Sequence, residues 1–154
     1  WIMTADEYFD KIKAVQKRRV SLERAIKEEK NRIYDISGID PSKEKVSGGR
    51  SLDIGDKLIR QDELLTAFYK ELSFVQSILG NCMERINGLL DENGKKDFNT
   101  IDVLQNFFFS GRPSGRIAEN LGVSREYAYR KRRKAIDRFG EFYRKELDSM
   151  EDIC

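Results

Sequence analysis

The sequence predicts an all-α protein, a long helical hairpin or coiled coil followed by a small helix-turn-helix domain. Three observations predict it. Apolar residues recur at alternating spacings of four and three along two long stretches, a helical period and not a strand period. Only two prolines, Pro41 and Pro113, occur in 154 residues, both in or beside breaker-rich segments. Between Arg112 and Arg138 two short helical patterns flank a glycine-containing turn. The predicted division is residues 4–91 for the long helices, with a linker at 37–51, and 97–147 for the small domain.

Residues 4–36 read as one helix. Thr4 is placed to cap it, with Glu7 three residues on completing a capping box. Tyr8, Ile12, Val15, Arg19, Leu22, Ile26, Glu29 and Ile33 form a heptad-like seam, interrupted by the charges of Arg19 and Glu29. The remaining faces are crowded with Lys, Arg and Glu, so the run Lys17–Arg19 reads as a solvated face before it reads as a nucleic-acid contact. From Ser37 to Ser51 the period stops, and Gly38, Pro41, Gly48 and Gly49 mark a linker. No strand precedes its SGGR and no GK[ST] follows, so it lacks the mechanics of a phosphate-binding loop.

Leu52 to Leu90 reads as a second, longer helix. Ile54, Leu58, Gln61, Leu65, Phe68, Leu72, Val75, Leu79, Cys82, Ile86 and Leu89 hold the four-three rhythm for five heptads, which points to a coiled coil. Cys82 is a small hydrophobe of that seam. Leu64, Phe74 and Ile78 lie off the seam, and leftover apolar surface of this kind usually finds a partner. Homodimerisation through the long helices is expected, with docking of the C-terminal domain onto the hairpin as the competing arrangement. Asp91–Asn99 is a second linker with a turn at Asn93-Gly94. Lys95 and Lys96 stand where a calcium loop needs oxygens, so no metal is assigned.

Thr100 is expected to cap a helix running through Val103, Leu104, Phe107 and Phe108 to Phe109. Consecutive residues on a helix cannot face one way, so this aromatic triplet reads as core and not as a base-stacking platform. Ile117, Leu121, Ala128 and Phe139 are its expected partners. Ser110–Pro113 closes the helix and Ser114 is expected to cap the next. There Ile117, Ala118 and Leu121 share one face. Gly122 can take the positive φ that ends the helix, and Ser124 can cap the second one. Ala128, Ala135 and Phe139, with Ile136 beside them, form its inner stripe. The helix is expected to continue through Phe142 and Tyr143 to about Leu147, before an acidic end.

Net charge is only +2, but its distribution is uneven. Residues 112–138 hold nine Lys/Arg against Glu119, Glu126 and Asp137. If the helix starts after Ser124, then Arg125, Glu126, Tyr129 and Arg130 face away from the apolar stripe. In DNA-binding helix-turn-helix domains that leading face enters the major groove. Arg offers two donors to guanine and Glu accepts from cytosine N4. Arg112, Arg116, Ser124, Arg132, Arg133 and Lys134 are the expected phosphate contacts.

LGVSREYAYRKRRKAIDRF resembles the promoter-reading C-terminal domain of sigma factors, whose last helices read approximately LGV[ST]RERIRQIxxxALxxL. Leu121, Gly122, Val123, Ser124, Arg125, Glu126, Ala135 and Ile136 match directly. The resemblance covers roughly residues 100–142 and implies a base-reading role for Arg125 and Glu126. Tyr129 and Arg130 stand where the family has Arg and Gln, so the target need not be the family's, and Lys131 replaces an apolar residue of the pattern, so its stem must cover the core while its ammonium reaches water. More loosely, the layout is similar to RinA/ArpU-like and related sigma-like regulators encoded by phages and prophages. It combines a TADEYFDKI helix, a VSGG-containing linker, a long central helix and a terminal helix-turn-helix. That similarity implies a transcription regulator, with double-stranded DNA and RNA polymerase as partners.

No paired carboxylates, nucleophile–base arrangement or metal cluster stands out, and the chain has no histidine, so an enzyme is not expected and no cofactor is assigned. No apolar run approaches membrane-spanning length. Cys82 and Cys154 have neither zinc-site nor disulfide spacing, so a reduced, cytoplasmic setting in a bacterial host is expected. Trp1 and Ile2, ahead of Met3, read as a vector remnant or an upstream extension. Two alternatives remain open: a DNA-recognition subunit of a phage packaging machine (small-terminase-like), and a sigma mimic acting through polymerase contacts.

Overall fold

The computed structural model describes residues 3–37 and 49–149, with the side chains of 34–37, 49–54 and 148 outside the description. It is all-α. The helices are α1 (Ala5–Ser37), α2 (Gly49–Asn87), α3 (Phe98–Phe108), α4 (Ser114–Leu121) and α5 (Arg125–Phe142), followed by a 3-10 turn at Leu147–Ser149. The chain forms two compact units, one of residues 1–16 and 77–154, the other of residues 17–76. The division falls inside both long helices, whereas the sequence pattern put it at the loop after residue 91. Most of the 37–51 linker, 38–48, lies outside the described residues, as do Trp1, Ile2 and the acidic end from 150. Gly49, Arg50 and Ser51, expected in the linker, already belong to α2.

The helix ends follow local chemistry. Thr4 Oγ1 accepts from the Glu7 N–H at 3.2 Å, and Asp6 and Glu7 lie in the first turn, where carboxylates suit the helix dipole. After α2 the chain reverses through a tight loop. The Gly94 N–H reaches the Asp91 carbonyl at 3.0 Å, and Asp91 Oδ1 accepts from the N–H groups of Asn93 and Lys95. The α3 cap is Asp97, not Thr100. Asp97 Oδ1 accepts from the Thr100 N–H at 3.3 Å, and the Thr100 hydroxyl donates to Oδ2 at 2.8 Å. A carboxylate two residues before Asn99 reaches the free amides first, and the helix gains a turn at its start. Likewise α4 starts at Ser114 itself behind Pro113, whose fixed φ suits the entry, with no side-chain cap.

The unit of residues 1–16 and 77–154 has an aromatic centre. Tyr8 stacks on Phe139 with centroids 5.0 Å apart, and Phe9 lies 4.5 Å from Phe108 and 4.9 Å from Phe139. Ile12, Cys82, Ile86, Leu89, Leu104 and Ile117 complete a core in which each of these side chains is at most 2 % exposed. Of the aromatic triplet, Phe108 is buried while Phe107 and Phe109 are half-buried, as helical geometry requires. Leu121, expected in this core, is only half-buried. The first turns of α1 belong to this unit, not to a coiled-coil stalk.

In the unit of residues 17–76, Leu22, Ile26, Glu29 and Val75 are buried and Ile33, Leu58, Gln61, Leu65, Phe68 and Leu72 half-buried. These are the heptad-spaced positions. Arg18 holds Glu71 through two bonds of 2.7 and 2.8 Å, and Lys30 lies over the Tyr69 ring. Ile59, Leu64 and Phe74 are exposed. Ile78, grouped with the last two from its spacing, is instead buried, and it belongs to the other unit.

Candidate nucleic-acid interface

The turn between α4 and α5 is built as its residues dictate. Gly122 adopts φ 67°, and its N–H reaches the Ala118 and Glu119 carbonyls, closing α4. An L side chain is strained in that backbone conformation, which is why glycine suits it. Ser124 Oγ accepts from the Tyr127 N–H at 3.2 Å and starts α5. Ala118 and Ala128 are 5 % and 2 % exposed, so the small residues sit where the two helices pack. Ile117, Ala135, Ile136 and Phe139 anchor the pair inward.

That packing leaves the leading turns of α5 open. Arg125, Glu126, Tyr129 and Arg130 are all exposed and fall at i, i+1, i+4 and i+5, which places them on one face. Arg112 and Arg116, before and within α4, are exposed too. Among the described residues, none of Arg112, Arg116, Arg125 and Arg130 is paired with a carboxylate. Their donors are therefore unspent.

The other expected phosphate contacts have different surroundings. Arg132 is half-buried, with its guanidinium 5.7 Å from the Phe107 centroid and 5.4 Å from that of Phe108. Its Nε is buried and, among the described residues, has no hydrogen-bond partner. Arg133 forms a two-bond ion pair with Asp6 of α1, one bond measuring 3.2 Å. Both side chains remain more than half exposed, so the pair is weak and exchangeable. Lys134 is exposed but faces elsewhere. With Lys131 and Arg138 it lines a cleft of about 780 Å³, whose opposite wall carries Asp91, Glu92, Asp97 and Asp102. Ser124 Oγ accepts at the helix cap and keeps its O–H as a donor.

Tyr129 is more than an outward ring. The Ser114 side chain hydrogen-bonds its hydroxyl and draws the pKa below the ordinary tyrosine value, partial burial opposes this, and the cations of Arg125, Arg132 and Lys13 lower it further. Its ring lies 6.1 Å from Phe107. Lys131 places its ammonium 5.4 Å from the Tyr127 centroid, so an aromatic neighbour receives the cation that was expected to reach past the core.

Asp6 and Lys13 were not singled out from the sequence. Both lie on α1, whose whole length reads as stalk by periodicity. The available signal was Phe9, an aromatic beside Tyr8 but off the heptad seam, which a two-helix stalk has no way to bury. Among the described residues no cluster of three or more His, Cys, Asp or Glu side chains could hold a metal ion, and no helix is long and apolar enough to cross a membrane. No protein-family model, curated protein or solved structure matches the chain.

Proposed function

We propose that this protein is a sequence-specific DNA-binding transcription regulator, acting at promoters in a sigma-like manner. One observation carries the proposal: the first two turns of α5 present Arg125, Glu126, Tyr129 and Arg130 together, exposed, behind a capped helix-turn-helix, with both arginines free of carboxylates among the described residues. Arg125 and Arg130 supply paired donors for guanine O6 and N7, and Glu126 an acceptor for cytosine N4. Arg112, Arg116 and Arg132 would hold backbone phosphates, with Arg133 joining them when it releases Asp6. The resemblance of residues 121–136 to sigma factors, and of the layout to phage-encoded sigma-like regulators, favours promoters as the target. RNA polymerase is the partner that such action requires.

Selection of bound sequences from a random duplex pool tests the proposal and supplies the target site. Arg125→Ala should then cost about 1–3 kcal/mol on the selected duplex and far less on a scrambled one. Uniform loss on both duplexes would remove base reading from Arg125. Absence of any selected sequence would end the proposal. The exposed Ile59, Leu64 and Phe74 favour a second copy of the chain as a further partner; a palindromic selected sequence would indicate such a two-fold dimer, and a single direct motif sigma-like action on polymerase.

A further inference from the structure

In the unit of residues 17–76, α2 carries its half-buried seam of Leu58, Leu65 and Leu72 on one side. The opposite side is open. Ile59, Glu63, Thr66, Ala67, Lys70 and Phe74 recur at i, i+4, i+7, i+8, i+11 and i+15, which is a single face of a helix, and all six are exposed. Ile59 is 60 % and Phe74 64 % exposed, so the face holds a large apolar side chain near each end. Their order decides what can cover them. Thr66 and Ala67 mark the middle, with Glu63 and Lys70 equally far to either side and Ile59 and Phe74 equally far beyond. Turned end for end, the face complements itself: Ile59 meets Phe74 and Glu63 meets Lys70, each pair formed twice about a two-fold axis. A parallel copy would set Glu63 against Glu63 and Lys70 against Lys70, which repel. Among the described residues neither Glu63 nor Lys70 has a hydrogen bond or ion pair within its own chain. The middle suits close approach. Ala67 is small, and the Thr66 hydroxyl donates to the Asp62 carbonyl at 2.9 Å, so a helix crossing there meets no unspent donor.

We propose that two copies of the chain pair through this face of α2, antiparallel and centred on Thr66 and Ala67. This rests on the second copy favoured above as a partner and gives it an interface, with Ile59 and Phe74 as the buried contacts and Glu63 and Lys70 fixing direction and register. Charges of this kind set specificity more than strength, so the apolar pair supplies most of the affinity. The pairing needs no DNA, and the oligomeric state of the chain alone tests it.

Sedimentation velocity of the full chain over a range of concentrations reads that state, with circular dichroism to show that each variant keeps its helices. Phe74→Ala should weaken dimerisation by about a hundredfold, since each dimer loses two buried rings. Glu63→Lys and Lys70→Glu should each weaken it by about tenfold, because each turns two attractions into repulsions. The double variant carrying both charge changes should recover the native dimer, and so should an equimolar mixture of the two single variants. Dimers untouched by Phe74→Ala or by either charge reversal would overturn the inference while leaving a second copy as partner through another surface. A double variant no better than the single ones would do the same. A native chain that stays monomeric at every concentration would overturn both the interface and the second copy, and none of these results bears on base reading by α5.

Discussion

The two compact units close on very different side chains. The unit of residues 1–16 and 77–154 closes around Tyr8, Phe9, Phe108 and Phe139, with rings 4.5–5.5 Å apart. The unit of residues 17–76 closes on single aliphatic side chains, Leu22, Ile26 and Val75, and leaves Phe74 64 % and Ile59 60 % exposed. Large rings supply area and interlocking shape, whereas a two-helix seam has only one layer on each side. The contrast teaches that the helix-turn-helix owes its stability to the start of α1 and the end of α2, and not to its own three helices alone.

The largest expected effect breaks the aromatic unit. Phe139→Ala removes a fully buried ring in contact with Tyr8, Phe9 and Tyr143, and should cost about 3–5 kcal/mol in chemical denaturation. Phe74→Ala, an exposed ring in the other unit, should change the stability of the single chain by no more than about 0.5 kcal/mol. If the two variants were equally destabilised, the distinction between the units would fail.

This difference also explains what could be read from the sequence. The all-α class, the heptad-spaced inner positions, the Gly122 turn and the Ser124 cap are local properties, fixed within a few residues by period, φ and hydrogen-bonding chemistry. They are legible for that reason. That α1 up to Gln16 belongs to another unit, with Tyr8 and Phe9 at its centre, depends on Phe108 and Phe139, more than 90 residues away, and no local rule reports them. The same holds for Arg133 and Lys134. Their charges are visible in the sequence, but only the fold brings Asp6 to one and an acidic loop opposite the other.

The next effect belongs to the centre of the aromatic unit. Burial pushes the Tyr8 hydroxyl well above the ordinary tyrosine pKa of 10.0, a hydrogen bond with Cys82 adds to this, and Arg85, which donates to it at 3.4 Å, opposes it. In the unfolded chain Tyr8 ionises near 10, so above that pH the unfolded state binds fewer protons than the folded one. Stability from this group is therefore complete below pH 10 and falls as pH rises beyond it, by up to about 1.4 kcal/mol per pH unit. Tyr8→Phe should lose less stability than the native chain between pH 9 and 11 in the same denaturation series. Identical pH profiles would show that the hydroxyl is not held neutral by the fold.

Glu29 sharpens the comparison from the other side, because it is a buried charge within the aliphatic seam. Its carboxylate is 7 % exposed and meets Arg32 at 2.5 Å, while the Arg32 side chain is 63 % exposed. Removing Arg32 by Arg32→Ala leaves the carboxylate without that partner and should cost about 1–3 kcal/mol. Replacing the acid, in Glu29→Leu, continues the apolar seam and should be neutral or stabilising by about 1 kcal/mol, as replacement of buried ion pairs often is. Thermal melts of the two variants should move in opposite directions, or one should not move at all. Equal losses would mean that Glu29 fixes the seam through contacts other than Arg32.

The smallest effect concerns Asp6 and Arg133, where the stability of a unit and its proposed function meet. Because both side chains are more than half exposed, Asp6→Asn should change folding stability by less than about 1 kcal/mol. Its consequence for DNA is larger in kind than in size. Arg133 lies one turn beyond Tyr129 and Arg130, so its guanidinium can serve either Asp6 or a phosphate, and in a duplex complex the two acceptors compete. Neutralising Asp6 removes the competitor and one repulsive charge beside the DNA. Affinity should rise slightly on every sequence, with a salt slope steeper by up to about 0.9, and the preference between selected and scrambled duplexes should stay the same. If affinity fell instead, Asp6 would be holding Arg133 in the position DNA needs, and the ion pair would be part of the interface and not a rival to it.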